Sequence, residues 1–396
     1  MVFLLSHLLP KDEILNGNGK WKLVEPEKHS SRQGIAKMQA DVLIVGVGLI
    51  GGSLGLALKD SPLVHRILGS DRDTASLDKA LEMGVIDQAI SLEEGARQAR
   101  LVFLCTPLRF YSEIINRIRP YLKPGSIVSD VGSTKEEVCR LLAALPEGIW
   151  AIGGHPMAGA ETRGVQGADR YLFENAVYAL TPLPGVPAPV LDFMVELLQS
   201  TGARIRFMEA TLHDQLVATV SHIPHLTAVA LVALTEGKAE NLMMAAGGFR
   251  DTTRIASSNP ELWEDILFSN REQIVPHLDQ LISSLAVIKE ALAGGDHDNI
   301  LRLLHEAKAI RDKIPRVRRG LIPDFCDIIC IVPDQPGIIG ALGQILGHEG
   351  INIVDIEILR VREGDGGTIR LGVPRLEDAE KAVTALQRQG IKAWTR

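Results

Sequence analysis

Val42-Leu43-Ile44-Val45-Gly46-Val47-Gly48-Leu49-Ile50-Gly51-Gly52-Ser53 passes from an unbroken apolar run into a glycine-spaced turn and then into a helical pattern. A short β-branched run of this kind reads as a buried strand. Glycines spaced G-x-G-x-x-G directly after it read as the strand-to-helix turn of a dinucleotide-binding domain. That spacing alone is weak evidence. It is strengthened by Asp71, twenty residues after Gly51 at the end of the next candidate strand, where a carboxylate takes both ribose hydroxyls. Gly46 then permits the tight turn, Gly48 the approach of the pyrophosphate, and Gly51 the packing of helix on strand. The amides that open the helix, at Leu49 and Ile50, face the phosphates. A carboxylate at Asp71 repels a 2′-phosphate, which favours NAD over NADP, whereas Arg72 offers such a phosphate a partner. Thr106-Pro107 closes the strand 101–105, at the end of the sheet where ligands bind, and is compatible with cofactor contact or with simple strand closure.

The pattern continues outward from that turn. Strands at 42–45, 66–70, 101–105, 126–130 and 150–153 alternate with helices at 51–59, 74–83, 111–119 and 134–145, the signature of a Rossmann-type α/β sheet. The proline-rich run 181–189 reads as a loop ending this unit, giving a nucleotide-binding domain over 38–189. Residues 190–320 are helical in period, with long helices expected at 213–234, 261–293 and 297–313. Their apolar stripes are wider than so few residues can bury, which points to an all-α dimerisation domain. Residues 325–396 follow the order βαββαβ of a small ferredoxin-like α+β unit. Residues 1–37 show no sustained period and read as a disordered or loosely docked extension, with Met38 as a possible functional start.

Composition narrows the function classes. The chain has 396 residues, 46% hydrophobic and 23% charged, with a formal net charge of −7. An acidic balance without basic clusters argues against nucleic acid and anionic membranes as partners. Apolar stretches of membrane-spanning length are interrupted by polar residues or glycine, which argues against a transmembrane helix. Cys105, Cys139, Cys326 and Cys330 fit neither a disulfide framework nor a zinc pattern, and no metal is expected. Cys326 and Cys330 share one face of a strand, as small core residues. A reduced, cytoplasmic setting fits them.

Four clusters carry chemistry. Ser129-Asp130-Val131-Gly132-Ser133-Thr134-Lys135 ends a strand and opens a helix, where Ser133 or Thr134 serves as a cap or as part of a site. Gly153-Gly154-His155-Pro156-Met157-Ala158-Gly159 sets an imidazole in what reads as a glycine turn, either as a turn residue or as a proton acceptor near neutral pH. Ser221-His222-Ile223-Pro224-His225 interrupts a helix with a proline, which costs about 3 kcal/mol in a helix interior and so points to a site. Phe249-Arg250-Asp251-Thr252-Thr253-Arg254 precedes Trp263 and reads as an anion clamp or as a capped loop with surface charge.

Taken in order, GVGLIGGS, SDVGSTK, GGHPMAG, SHIPH and FRDTTR resemble the prephenate dehydrogenase family, arogenate dehydrogenases included, over about residues 40–320. The last seventy residues look like an ACT regulatory domain. The resemblance implies oxidative decarboxylation of prephenate with NAD, His155 accepting the C4 hydroxyl proton. It also implies that Ser133 bonds to that histidine and Ser221 lies near the nicotinamide. Arg254 and His225 would bind substrate, Glu161 and Asp251 would gate the pocket or restrain Arg254, and Trp263 would wall it, with His222 and Arg250 as competitors. Asp334-Gln335-Pro336-Gly337 resembles the effector turn of ACT domains, with tyrosine as the expected ligand and a homodimer as the expected assembly. Arogenate in place of prephenate is the near alternative, and a non-catalytic sensor of NAD and amino acid the distant one.

Overall fold

The computed structural model describes residues 39–159, 162, 164–313, 326–333, 335–359 and 367–395. The extension 1–37 lies outside them, as do Glu161 and Asp334. The first unit is built on eight strands: β1 (Ala40–Val45), β2 (Val64–Ser70), β3 (Gln88–Ala89), β4 (Leu101–Leu104), β5 (Ile127–Asp130), β6 (Trp150–Pro156), β7 (Val177–Pro182) and β8 (Arg204–Phe207). Their order is β3-β2-β1-β4-β5-β6-β7-β8. From β3 to β6 all pairs are parallel, β6–β7 is antiparallel and β7–β8 parallel. Side chains alternate between the two faces of β1, so Val42 and Ile44 join one core while Leu43 and Val45 join the other. Strand order reverses between β1 and β4, which opens the crevice that ligands of such sheets occupy.

The sheet does not end at 189. The helix Ala188–Gln199 buries Phe193, Met194, Leu197 and Leu198 against the core, and β8 follows it into the sheet. The proline-dense run is therefore an internal turn and helix start, and the domain reaches Phe207. Pro187 and Pro189 flank the first helical residue, where a missing N–H leaves no hydrogen bond unmade.

Two expected helices are also broken. The run from 213 divides into Ala210–Val217, a π turn at Ala218–His222, and Ile223–Ala233. Pro224 lies in the first turn of the last piece, so the widened π turn takes up the disruption that a proline causes in an α-helix. By length and hydropathy Ala210–Ala233 matches a membrane-crossing helix, contrary to the reading above, yet its buried positions carry His213, Asp214, His222 and His225. The expected helix 261–293 breaks at Asn270 into Pro260–Ser269 and Arg271–Ala293. Ile282, Leu285, Leu292, Leu301 and Leu304 stay exposed on Arg271–Ala293 and on His297–Arg311.

The C-terminal unit has β9 (Cys326–Val332), β10 (Asp355–Leu359), β11 (Gly367–Val373) and β12 (Lys392–Thr395) in antiparallel order β10-β11-β9-β12. Helices Ile338–His348 and Leu376–Arg388 cover the face that holds Cys330, with Cys326 partly buried beside it. On the other face Arg370 bridges Asp327, Asp355 and Glu357 at 2.7–2.8 Å.

Candidate active site

Gly46 has φ +96°, and a Cβ there would lie 2.9 Å from the backbone of Cys105. A Cβ on Gly51 would lie 2.1 Å from the Gly46 carbonyl oxygen. Only glycine fits either position. The helix that follows, Leu49–Leu58, has no side-chain cap, and Gly48 beside it faces open space. Its uncapped amides therefore remain free for an anion. Asp71 closes β2 and is held by two backbone amides, Val47 N–H to Oδ2 and Asp73 N–H to Oδ1, each at 2.9 Å. A cleft of about 700 Å³ runs from Gly46 and Gly48 past Asp71 and Arg72 to Thr106, Pro107 and Phe110. The Arg72 guanidinium lies 5.0 Å from the centre of the Phe110 ring. Glycine turn, uncapped helix start, carboxylate and apolar wall together fit a dinucleotide.

His155 is not in a turn. It lies within β6, opposite Ala179 of β7, and is buried. The glycines before it serve the approach of the neighbouring strand, since a Cβ on Gly154 would lie 2.4 Å from the Asp130 carbonyl oxygen. Asp130 also receives Gly154 N–H at 2.8 Å, Gly132 N–H at 2.7 Å and the Lys135 ammonium at 2.5 Å. Asp130 and Lys135 are wholly buried, so this ion pair fixes the loop after β5 to the strand that carries His155. Burial lowers the pKa of His155 well below its ordinary value, helped by the nearby His213, Lys135 and His222, so the ring is neutral near pH 7.

The hydrogen bond from Ser133 to His155 that the resemblance implies is not formed. Among the described residues the partner of His155 is His213, with Nδ1 and Nε2 2.8 Å apart. Nδ1 of His213 in turn lies 2.7 Å from Asp214 Oδ1. Asp214 accepts the backbone N–H groups of Lys135 and Glu136 at 2.7 and 2.8 Å, so the helical domain docks on the loop that contains Ser133. Sequence reasoning missed His213 and Asp214. Their signal was an ionisable pair within a largely apolar helical run, since buried polar groups require partners.

Asn270, the residue that breaks the long helix, donates from Nδ2 to the Asp214 carbonyl at 2.9 Å and to His222 Nδ1 at 3.1 Å. Burial holds His222 down from 6.5 to about 4. His225, whose pKa burial also lowers, stacks on Trp263 with ring centres 3.5 Å apart and planes 6° from parallel, while His222 meets the same indole edge-on at 5.9 Å. Ser221 lies in the π turn beside His222. Arg254 opens a 3₁₀ turn that packs on the helix Ile223–Ala233, and Asp251 and Arg250 lie exposed on the short helix before it. In the C-terminal unit Gln335, Pro336 and Gly337 form an exposed turn before the helix Ile338–His348.

Comparison with known proteins agrees with this geometry. Residues 54–207 match the prephenate dehydrogenase nucleotide-binding domain, 209–306 the prephenate dehydrogenase dimerization domain, and 327–390 the ACT domain. The prephenate dehydrogenase of Bacillus subtilis is 36% identical over 89% of this chain and 96% of its own length. A crystal structure of prephenate dehydrogenase from A. aeolicus, in complex with hydroxyphenyl propionate and NAD+, is 33% identical with a TM-score of 0.65 over 70% of this chain and 99% of that one. Synechocystis arogenate dehydrogenase is 32% identical with a TM-score of 0.62, over 69% of this chain and all of that one. By these matches along its length the chain belongs to the prephenate dehydrogenase family, with an ACT domain at its C-terminal end.

Proposed function

We propose that this chain is a prephenate dehydrogenase, converting prephenate to 4-hydroxyphenylpyruvate and carbon dioxide. The observation that carries the reading is a neutral, buried His155 at the same strand-end edge as the glycine turn. NAD, when bound along Gly46, Gly48, Leu49, Ile50, Gly51, Asp71, Thr106 and Pro107, supplies the hydride acceptor. Asp71 binds the ribose and Arg72 borders it. His155 takes the proton of the substrate's C4 hydroxyl as hydride leaves the same carbon. Loss of the C1 carboxylate as carbon dioxide then sends an electron pair through the ring, which becomes aromatic. Because aromatisation drives the reaction, the residues chiefly need to orient the substrate and accept one proton.

Arg254 holds a substrate carboxylate, as a guanidinium can with two parallel hydrogen bonds. His225 and Trp263 form one wall of that pocket, Ser221 lies toward the nicotinamide, and Asp251 restrains Arg254. Ser133 supports the loop through which His155 is held. The exposed apolar stripe on Arg271–Ala293 fits a homodimer. The sequence Asp334-Gln335-Pro336-Gly337 fits tyrosine as a feedback effector, and four free cysteines fit a cytoplasmic setting. Arogenate is the second reading, favoured by the likeness to the Synechocystis enzyme.

Absorbance at the NADH band tests these together, with prephenate or arogenate, NAD or NADP, and with or without tyrosine. His155→Asn should lower turnover severely and leave substrate binding nearly intact, and Arg254→Ala should mainly raise KM. A full-speed His155→Asn variant removes that histidine from the chemistry. An unchanged KM in Arg254→Ala moves the anion contact to Arg250. Tight NAD binding without turnover of either substrate would instead support a non-catalytic sensor.

A further inference from the structure

We propose that His213 and Asp214 are positioning residues for His155, setting its tautomer so that Nε2 is bare and able to accept the substrate's proton. The inference rests on the reaction proposed above and adds to it the orientation of the base. The argument begins at two backbone amides. Lys135 N–H and Glu136 N–H point at the Asp214 carboxylate and can only donate. Asp214 is fully buried, and its third contact is Nδ1 of His213. An acceptor-only carboxylate places the proton on that nitrogen. A neutral imidazole protonated at Nδ1 is bare at Nε2. That Nε2 lies 2.8 Å from Nδ1 of His155, so His155 Nδ1–H donates and its own Nε2 keeps a lone pair.

Polarity therefore runs one way, from the amides through Asp214 and His213 to the base. The other imidazole nearby is engaged elsewhere, His222 Nδ1 receiving Asn270 and its ring meeting Trp263 edge-on. Burial disfavours charge on His155, so the resting ring is neutral and its Nε2 is open to a proton. The O–H bond breaks, Nε2–H forms, and Nδ1–H stays bonded to His213. His155 comes from β6 and the pair from the helical domain, so the base is correctly set only when the two domains are docked.

The test uses the full chain with His213→Leu and His213→Gln. Glutamine puts an amide oxygen near the position of Nε2 and can accept from His155; leucine cannot. Nitrogen NMR of the histidine-labelled, cofactor-free protein reads which ring nitrogen of His155 holds the proton, and steady-state assays with prephenate and NAD read kcat and KM. The expected wild-type state is protonated Nδ1 and bare Nε2. His213→Leu should lose that preference and about a hundredfold or more in kcat, with the KM for prephenate changed less than about twofold. His213→Gln should restore the tautomer and most of kcat. A wild-type proton on Nε2, or a folded glutamine variant as slow as leucine, overturns the proposal. A wild type inert toward prephenate removes the reaction instead, while the nitrogen spectrum still decides the pairing.

Discussion

Asp130 and Lys135 offer the most direct test of what holds the site together. Both side chains are wholly buried, with the ammonium 2.5 Å from Oδ2, and two backbone amides complete the carboxylate's contacts. Removing one partner of a buried pair leaves an uncompensated charge and costs about 3–5 kcal/mol. Lys135→Met should fall near the lower end, because Gly132 and Gly154 still donate to Asp130. Asp130→Asn should fall near the upper end, because it strands an ammonium and turns an amide NH₂ toward an N–H donor. In the double variant no charge is stranded and only the mismatched amide remains, at about 1–3 kcal/mol. The coupling between the two changes should therefore be about 5 kcal/mol or more, above the top of the range seen for residues in contact. Urea unfolding followed by circular dichroism measures it, comparing midpoints at constant slope. Repeating the series with NAD identifies the transition of the nucleotide-binding domain, which the ligand raises. Strictly additive single costs, or single costs below about 1 kcal/mol, would refute a stabilising pair. Asp130→Asn should also reduce kcat more than Lys135→Met, because Gly154 N–H adjoins His155.

Three further outcomes follow from the geometry. Burial keeps His222 and His155 neutral in the folded chain, His222 falling from 6.5 to about 4, so the unfolded chain binds protons first on acidification. The contribution of His222 is complete above pH 6.5 and is lost as pH falls from 6.5 toward 4, by at most about 1.4 kcal/mol per pH unit, and His155 acts in the same direction; a melting temperature that rises on acidification in that window contradicts it. Gly154→Ala must push β6 from β5, since its Cβ would lie 2.4 Å from a backbone oxygen; a cost of about 1–3 kcal/mol and a lower kcat with unchanged NAD affinity are expected, and a fully active, equally stable variant counts against it. Asp71→Ser should weaken NAD about tenfold or more through lost hydrogen bonds to a charged group and narrow the gap to NADP beside Arg72; titration with both cofactors measures this, and an unchanged NAD affinity separates Asp71 from the ribose.

How much of this was legible depended on how local each cause is. The glycine turn and Asp71 carry their meaning within one βαβ unit, so the sheet's first half and the cofactor cleft could be read directly. Pro187 and Pro189 could not be assigned so easily, because a missing N–H suits a linker and a helix start equally, and that ambiguity hid β8. His155 was chosen for its chemistry but misplaced in a turn. The reason its neighbour must be glycine is the Asp130 carbonyl on another strand, which local sequence does not reveal. The partner of His155 was beyond local reading for the same reason, since His213 lies 58 residues away and arrives only when the helical domain docks. Yet the sequence held a usable trace in His213-Asp214, an ionisable pair in a helix of high hydropathy, and another in Asn270, a helix-breaking amide before a long helix. In a helix apolar enough to span a membrane, each buried polar side chain needs a partner from elsewhere in the fold. Here the partners of His213 and Asp214 belong to β6 and to the loop after β5, whereas His222 takes Asn270 of the helical domain itself, so the His213-Asp214 pair marks where that domain meets the nucleotide-binding sheet, and that junction carries the base.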